Sequence, residues 1–204
     1  MKMSKNLKMI LYIASVLIVV CLVLLLGNHL PILAKGAIMT TAWLPSYLVC
    51  TMVTVLSKST YQKKEKNMFG ITAKLYTVLV FLSSSIYTIG VWLLTPGSLI
   101  KNIMLGIGLS VQLLLMFYFL FKRINEEPDE RFYRNIAKSS SILFTIAIFI
   151  LLGIATLIAV CKVFVLNAGF LYILVAFLLL LFAITYFILS LIHISEPTRP
   201  RLIS

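Results

Sequence analysis

Acidic residues are scarce in this chain and absent from its long apolar runs. The sequence has 6 Asp and Glu residues against 18 Lys and Arg residues, and only 2 His. Ionisable side chains are costly inside a bilayer, and where they occur there they usually mark ion pathways or proton relays. The pattern disfavours proton- or cation-coupled transport through a buried carboxylate. It also disfavours di-metal chemistry and intramembrane proteases built on Glu and His.

Cysteine and histidine are too few and too scattered to form a site. Cys21, Cys50 and Cys161 match no metal-binding spacing, and an odd number of cysteines excludes a complete set of disulfides. We expect them to pack as small apolar residues. His29 is expected to be a solvated loop residue beside Pro31. The sequence therefore predicts no catalytic residue, no metal ligand and no cofactor, so we do not expect an enzyme.

Most residues of the chain are apolar. The chain is 61% hydrophobic and 12% charged, with a mean hydropathy of +1.08, whereas soluble domains carry about 25% charged residues. A helix that crosses a bilayer needs about 20 apolar residues. Six runs approach or reach this length, which predicts an all-α polytopic membrane bundle of six transmembrane helices. The predicted spans are 9–26, 36–56, 75–94, 103–121, 139–160 and 169–188.

The second predicted span contains a proline. Pro45 has no N–H to donate within a helix, and its ring disturbs the preceding turn, so we expect a kink there. Neighbouring helices can tolerate such a kink in a membrane.

Basic residues alternate along the chain in a way that predicts its orientation. The loops and the N-terminus carry three, one, five, one, five and one Lys or Arg in succession, leaving residues 189–204 aside. Loops rich in Lys and Arg remain cytoplasmic. The alternation places the N-terminus in the cytoplasm and the loops bearing Lys35, Lys101 and Lys162 outside. We expect the cytoplasmic (cell) membrane of a bacterium.

The formal charge of +12 is distributed among the ends of the predicted spans. Cations in such positions determine topology and contact the anionic headgroups of lipids. The basic patches are short and interrupted by spans, so nucleic acid is not an expected partner.

The loop 122–138 is the only patterned polar stretch. Pro128 and Asp129 predict the start of a helix that continues into the fifth span, with Asp129 and Glu130 near its positive N-terminal end. The Asp129-Glu130-Arg131 triplet before a span resembles one found in several families of small multi-pass bacterial membrane proteins. No activity is assigned to those families, so the resemblance implies none here.

Polar side chains within the predicted spans are the only candidate functional residues. They include Thr88 and Ser110, and the strongest group is a possible intramembrane strip: Ser83, Ser84, Ser85 and Gln112. Such groups either hydrogen-bond between helices or line the route of a polar substrate. Polar contacts between membrane helices average about 0.6 kcal/mol and reach about 1.7. If the strip serves packing alone, Gln112→Leu is expected to leave folding nearly intact.

Two functions remain open. The first is a non-catalytic accessory or regulatory subunit in the membrane. The alternative is the permease subunit of an exporter driven by a separate ATPase, because six spans and cytoplasmic ends resemble such permeases. The resemblance implies that loop 57–74 docks on the ATPase. The chain is short for that family, and the brief turn between spans five and six leaves no room for its re-entrant helices.

Residues 189–204 resemble a translated sequencing adapter. The residues Leu189-Ser-Leu-Ile-His-Ile-Ser-Glu-Pro-Thr-Arg199 correspond to one reading frame of a transposase adapter. Pro200, Arg201 and Leu202 would then come from an index, and Ile203 and Ser204 from the fixed bases after it. Such segments are left out of fold reasoning. We therefore expect no functional role for this tail, and we expect the native chain to differ after about Ile188.

Overall fold

The computed structural model describes residues 35–36, 39–41, 45, 47–48, 51, 70–95, 97, 99–124, 127–161 and 167–195. These residues form helices and their connections, with no β-strand among them. Four long helices are present: α1 (Ile71–Leu94), α2 (Leu99–Phe121), α3 (Glu130–Cys161) and α4 (Ala168–Ser195). Before them, the described residues between 35 and 51 are also helical. The predicted span 9–26 and most of the span 36–56 lie outside the described residues.

Each of the four helices is long and apolar enough to cross a membrane. The qualifying segments are Ile71–Leu94, Lys101–Phe121, Glu130–Val160 and Ala168–Ile192. They contain the predicted spans 75–94, 103–121, 139–160 and 169–188, with extra turns at the ends. The all-helical class is confirmed, and the helices are consistent with a membrane protein.

Local sequence sets where the helices begin and end. Thr95 adopts extended geometry at the end of α1, as expected for a residue that precedes proline. At the start of α3, Asp129 Oδ1 accepts a hydrogen bond from the N–H of Phe132 at 2.8 Å. This is an N-cap, and it confirms the predicted helix start at Asp129. A helix of 32 residues is about 48 Å long, longer than a hydrocarbon core of about 30 Å.

Helix α1 lies at the centre of the bundle. It packs against α4 over most of its length and against α2 on another side, while α3 contacts α4. Ala73, Tyr76, Val80 and Ala183 form a buried cluster between α1 and α4. A second cluster, built on Val91 and Leu105, joins α1 to α2 near the opposite end.

Two glycines bring α1 and α4 into close contact. A Cβ atom added to Gly90 would lie 2.8 Å from Ile173 Cγ1 and 2.9 Å from the carbonyl oxygen of Gly169. A Cβ atom added to Gly169 would lie 2.6 Å from Leu94 Cγ and 2.9 Å from the carbonyl oxygen of Gly90. Small residues allow membrane helices to approach in this way. We call this contact the glycine seam.

Lysines from the first turns of α1 and α2 cap each other's helix ends. Lys74 Nζ donates to the carbonyl oxygen of Lys122, directly after α2, at 2.9 Å. Lys101 Nζ donates to the carbonyl oxygens of Thr95 at 2.7 Å and Trp92 at 3.3 Å, at the end of α1. Both ammonium groups therefore lie where a helix C-terminus presents unsatisfied carbonyls and partial negative charge.

The position of Lys101 corrects the sequence analysis, which placed it in a loop. It lies within the first turn of α2 and is only 2% exposed. Likewise, Lys74 belongs to α1 and not to the preceding loop. In both helices the lysine on the added turn donates to a carbonyl at the end of the neighbouring helix.

Candidate functional site

The predicted polar strip is divided in the structure. Successive residues on an α-helix project about 100° apart, so Ser83, Ser84 and Ser85 face three directions. Ser83 Oγ donates across the helix interface to the carbonyl oxygen of Ala176 in α4 at 2.6 Å. Ser85 Oγ donates to the carbonyl oxygen of Phe81 in its own helix at 2.8 Å. Only Ser83 and Ser84 line a common cavity, and Gln112 belongs to a separate group of hydrogen bonds.

Gln112 bridges α1 and the helical residues that precede it. Its Nε2 donates to the carbonyl oxygen of Thr41 at 2.8 Å, and its Oε1 accepts from Thr88 Oγ1 at 3.1 Å. The side chain is 5% exposed. The amide orientation follows from these partners, because the opposite orientation would place two acceptor oxygens against each other at Thr41.

The Thr41 carbonyl lies four residues before Pro45. In an α-helix that carbonyl accepts from the N–H of residue 45, and proline has no N–H. Thr41 and Pro45 are both helical, and Gln112 Nε2 donates to the Thr41 carbonyl. We infer that this bond replaces the donor that proline lacks. We refer to Thr41, Pro45, Thr88 and Gln112 as the proline joint.

Thr88 completes the joint with one hydroxyl proton and two acceptors. Its Oγ1 lies 2.9 Å from the carbonyl oxygen of Ser84 and 3.1 Å from Gln112 Oε1. A hydroxyl group has a single proton, so the two acceptors share it. The sequence identified Thr88 as a polar residue but did not place it with Gln112, and it missed Thr41. Counting back four residues from Pro45 is the signal that identifies Thr41.

A cavity of about 160 Å³ lies between α1, α4 and the helical residues near Pro45. Its walls are mainly apolar, and Thr40, Ser83, Ser84 and Tyr87 contribute hydroxyl groups. Thr40 Oγ1 and the Tyr87 hydroxyl are 3.1 Å apart and share a hydrogen bond. Ser83 is engaged with α4, as described above. Among the described residues, the Ser84 hydroxyl has no hydrogen-bond partner.

Two polar atoms on α3 are buried without a partner. They are Asn135 Oδ1 and Ser139 Oγ, one helical turn apart. Phe132 on the same helix packs edge-on against Tyr186 of α4, and the Tyr186 hydroxyl is 3.3 Å from Thr72 Oγ1. This part of α3 is therefore in contact with the bundle, whereas no residue in its most apolar stretch is buried.

The described residues do not assemble a metal-binding cluster. No cluster of three or more His, Cys, Asp or Glu side chains occurs in the part of the chain that the structure describes. Glu127, Asp129 and Glu130 lie exposed around the start of α3, where Asp129 serves as the N-cap. The features that the described residues form are the hydrogen bonds of the proline joint and a mainly apolar cavity.

Comparison with known proteins adds no relative. The sequence matches no model of a known protein family, and no curated protein or solved structure is detectably similar to it. The functional argument therefore rests on the geometry of the proline joint and of the cavity.

Proposed function

We propose that this chain is a non-catalytic accessory or regulatory subunit of a bacterial cytoplasmic membrane. The observation that supports this role is that Gln112, the most polar side chain of the predicted strip, is engaged by protein groups at both ends of its amide. A group that lines a substrate route needs free hydrogen-bonding capacity. Gln112 uses one amide proton and its carbonyl oxygen to connect helices, as polar residues in membrane bundles commonly do.

The proposal includes six spans with the N-terminus in the cytoplasm. Lys74, Lys122 and Arg123 lie at the end of the bundle where α1 begins, and the start of α3 adds Arg131, Arg134 and Lys138. At the opposite end the described basic residues are Lys35 and Lys101. This asymmetry supports a cytoplasmic location for the first end. Other membrane subunits and anionic lipids are the partners that such a protein would contact.

Topology is tested by cysteine labelling in intact cells. In a background lacking Cys21, Cys50 and Cys161, single cysteines at Ser59 and Asn125 are expected to remain protected from membrane-impermeant thiol reagents. Cysteines at His29 and Asn167 are expected to react, because the basic-poor loops are outside. Permeabilised cells provide the control, in which all four positions should react. Labelling at Ser59 in intact cells would contradict the orientation.

The permease subunit of an ATPase-driven exporter is the second candidate. The observation in its favour is the cavity beside Ser84. Ser84 lies at the middle of α1, and its hydroxyl has no hydrogen-bond partner among the described residues. An ATP-binding-cassette gene next to this one in the genome would support it.

A complementation experiment separates the two functions. In a strain lacking the gene, Gln112→Leu is expected to reduce any phenotype only in proportion to the loss of folded protein in the membrane. Asn102→Leu, which changes an exposed amide on the same helix, is the control. An accessory role needs the bundle and not the free amide, whereas a permease would need its polar groups. Loss of export or resistance at a normal amount of folded Gln112→Leu protein would favour the permease.

A further inference from the structure

We propose that the cavity between α1 and α4 binds a small uncharged amphiphile, that is, a hydrocarbon body with one hydrogen-bonding oxygen. The site is separate from the proline joint and goes beyond the accessory role proposed above. It is built by described residues from three parts of the chain: Thr40 and Leu48 before α1, Ser84 and Tyr87 on α1, and Phe177 and Leu180 on α4.

The size and walls of the cavity fit such a ligand. Its volume is about 160 Å³, and an engineered apolar cavity of about 150 Å³ in another protein binds benzene or xenon. Along α1 it extends from Val80 to Tyr87, a rise of roughly 10 Å. Among the described residues, no charged side chain lines it. Ions are therefore disfavoured, and an apolar body of one ring or a short chain is favoured.

Ser84 supplies the polar contact. Three nearby hydroxyls on α1 donate to the carbonyl four residues before them: those of Thr77, Ser85 and Thr88. Ser84 does not, and its Oγ has no hydrogen-bond partner among the described residues although it lines the cavity. A hydroxyl in an apolar environment gains from a partner. An oxygen on the ligand satisfies Ser84 without displacing an existing bond.

Contacts between the surrounding helices border the cavity on two sides. The glycine seam holds α1 against α4 on one side of it, through Gly90 and Gly169. The Thr40–Tyr87 hydrogen bond connects α1 to the residues near Pro45. Between these contacts, Ser83, Ser84 and Ala176 are too small to fill the space.

Photolabelling with an octanol that carries a diazirine tests the proposal. The purified full chain is labelled both in detergent and in phosphatidylcholine vesicles, and adducts are mapped by mass spectrometry. We expect saturable labelling at cavity residues such as Val80 and Tyr87. Exposed residues such as Phe144 and Phe149 on α3 report non-saturable labelling from the surrounding lipid or detergent. Excess octanol should compete for the cavity adducts and leave the exposed ones unchanged.

Two substitutions of Ser84 test separately the space in the cavity and the hydrogen bond to the ligand. Ser84→Leu fills the cavity and should lower saturable labelling at least tenfold. Ser84→Ala keeps the space and removes the hydroxyl, so the preference for octanol over octane as competitor should fall by about tenfold. Ser110→Leu, which changes an exposed hydroxyl on α2, should leave both quantities unchanged.

Several outcomes would overturn the proposal. One is labelling that does not saturate in either medium, and another is labelling spread equally over cavity and exposed residues. A third is saturable labelling that is unchanged in Ser84→Leu. If Ser84→Leu fails to fold, Ser84→Ala still tests the proposal. An unchanged preference for octanol over octane in that variant would show that Ser84 does not bind the oxygen of the ligand.

Discussion

Gly90→Val is expected to destabilise the bundle by about 3 kcal/mol, because overpacking at a tight contact forces backbone shifts. An added Cβ lies 2.8 Å from Ile173 Cγ1 and 2.9 Å from the Gly169 carbonyl oxygen. The second of these atoms belongs to the backbone, so it cannot move aside as a flexible side chain does. The β-branched valine adds two methyl groups to the same contact. We therefore expect a large fall in the thermal unfolding midpoint in detergent.

Gly153→Val is the matched control for this prediction. Gly153 lies in α3, and no atom lies within 4 Å of a Cβ added there. Both substitutions make the same change in helix propensity, so the difference between them measures the packing at the glycine seam. If Gly90→Val and Gly153→Val unfold at the same temperature, α1 and α4 do not meet at Gly90.

Gln112→Leu is expected to lower the free energy of unfolding by about 1–2 kcal/mol, near the upper limit measured for polar contacts between membrane helices. This revises the sequence-based expectation that folding is nearly intact. Leucine matches the buried volume but offers no donor to the Thr41 carbonyl and no acceptor to Thr88. The loss of these two hydrogen bonds accounts for the range, since each contributes about 0.5–1.5 kcal/mol net.

Unfolding in mixed micelles with increasing sodium dodecyl sulfate measures this change. Asn102→Leu provides the control, since it replaces an exposed amide near the start of the same helix. It should change the free energy by less than about 0.5 kcal/mol. If the two substitutions lower the free energy of unfolding equally, the buried hydrogen bonds of Gln112 do not stabilise the bundle.

The four described helices were predictable because their apolar runs are long and uninterrupted. The boundaries were less predictable: α1 and α2 each extend about one turn before the apolar run and include a lysine. In the sequence, Lys74 and Lys101 resemble loop residues because they lie just outside the apolar runs. Their burial depends on which helix ends lie beside them, and the sequence does not give that adjacency.

The candidate site was predicted by residue type but not by arrangement. Ser83, Ser84 and Ser85 were grouped because they are adjacent, although helical geometry separates them. Pro45 was expected to kink its helix, but the sequence did not indicate that Gln112 donates to the carbonyl four residues before it. Which polar residue meets a given proline depends on the packing of distant segments. The cavity also depends on that packing, since three parts of the chain form it.

The central claim is that Gln112 compensates for the donor that Pro45 lacks, and a double-mutant cycle tests it directly. Pro45→Ala restores an N–H four residues after Thr41, so the Thr41 carbonyl regains an intrahelical donor. The loss of stability caused by Gln112→Leu should then be smaller in the Pro45→Ala background by about 1 kcal/mol, a coupling typical of residues in one hydrogen-bond network. If Gln112→Leu lowers the free energy of unfolding equally in both backgrounds, Gln112 does not act through the proline and the account is wrong.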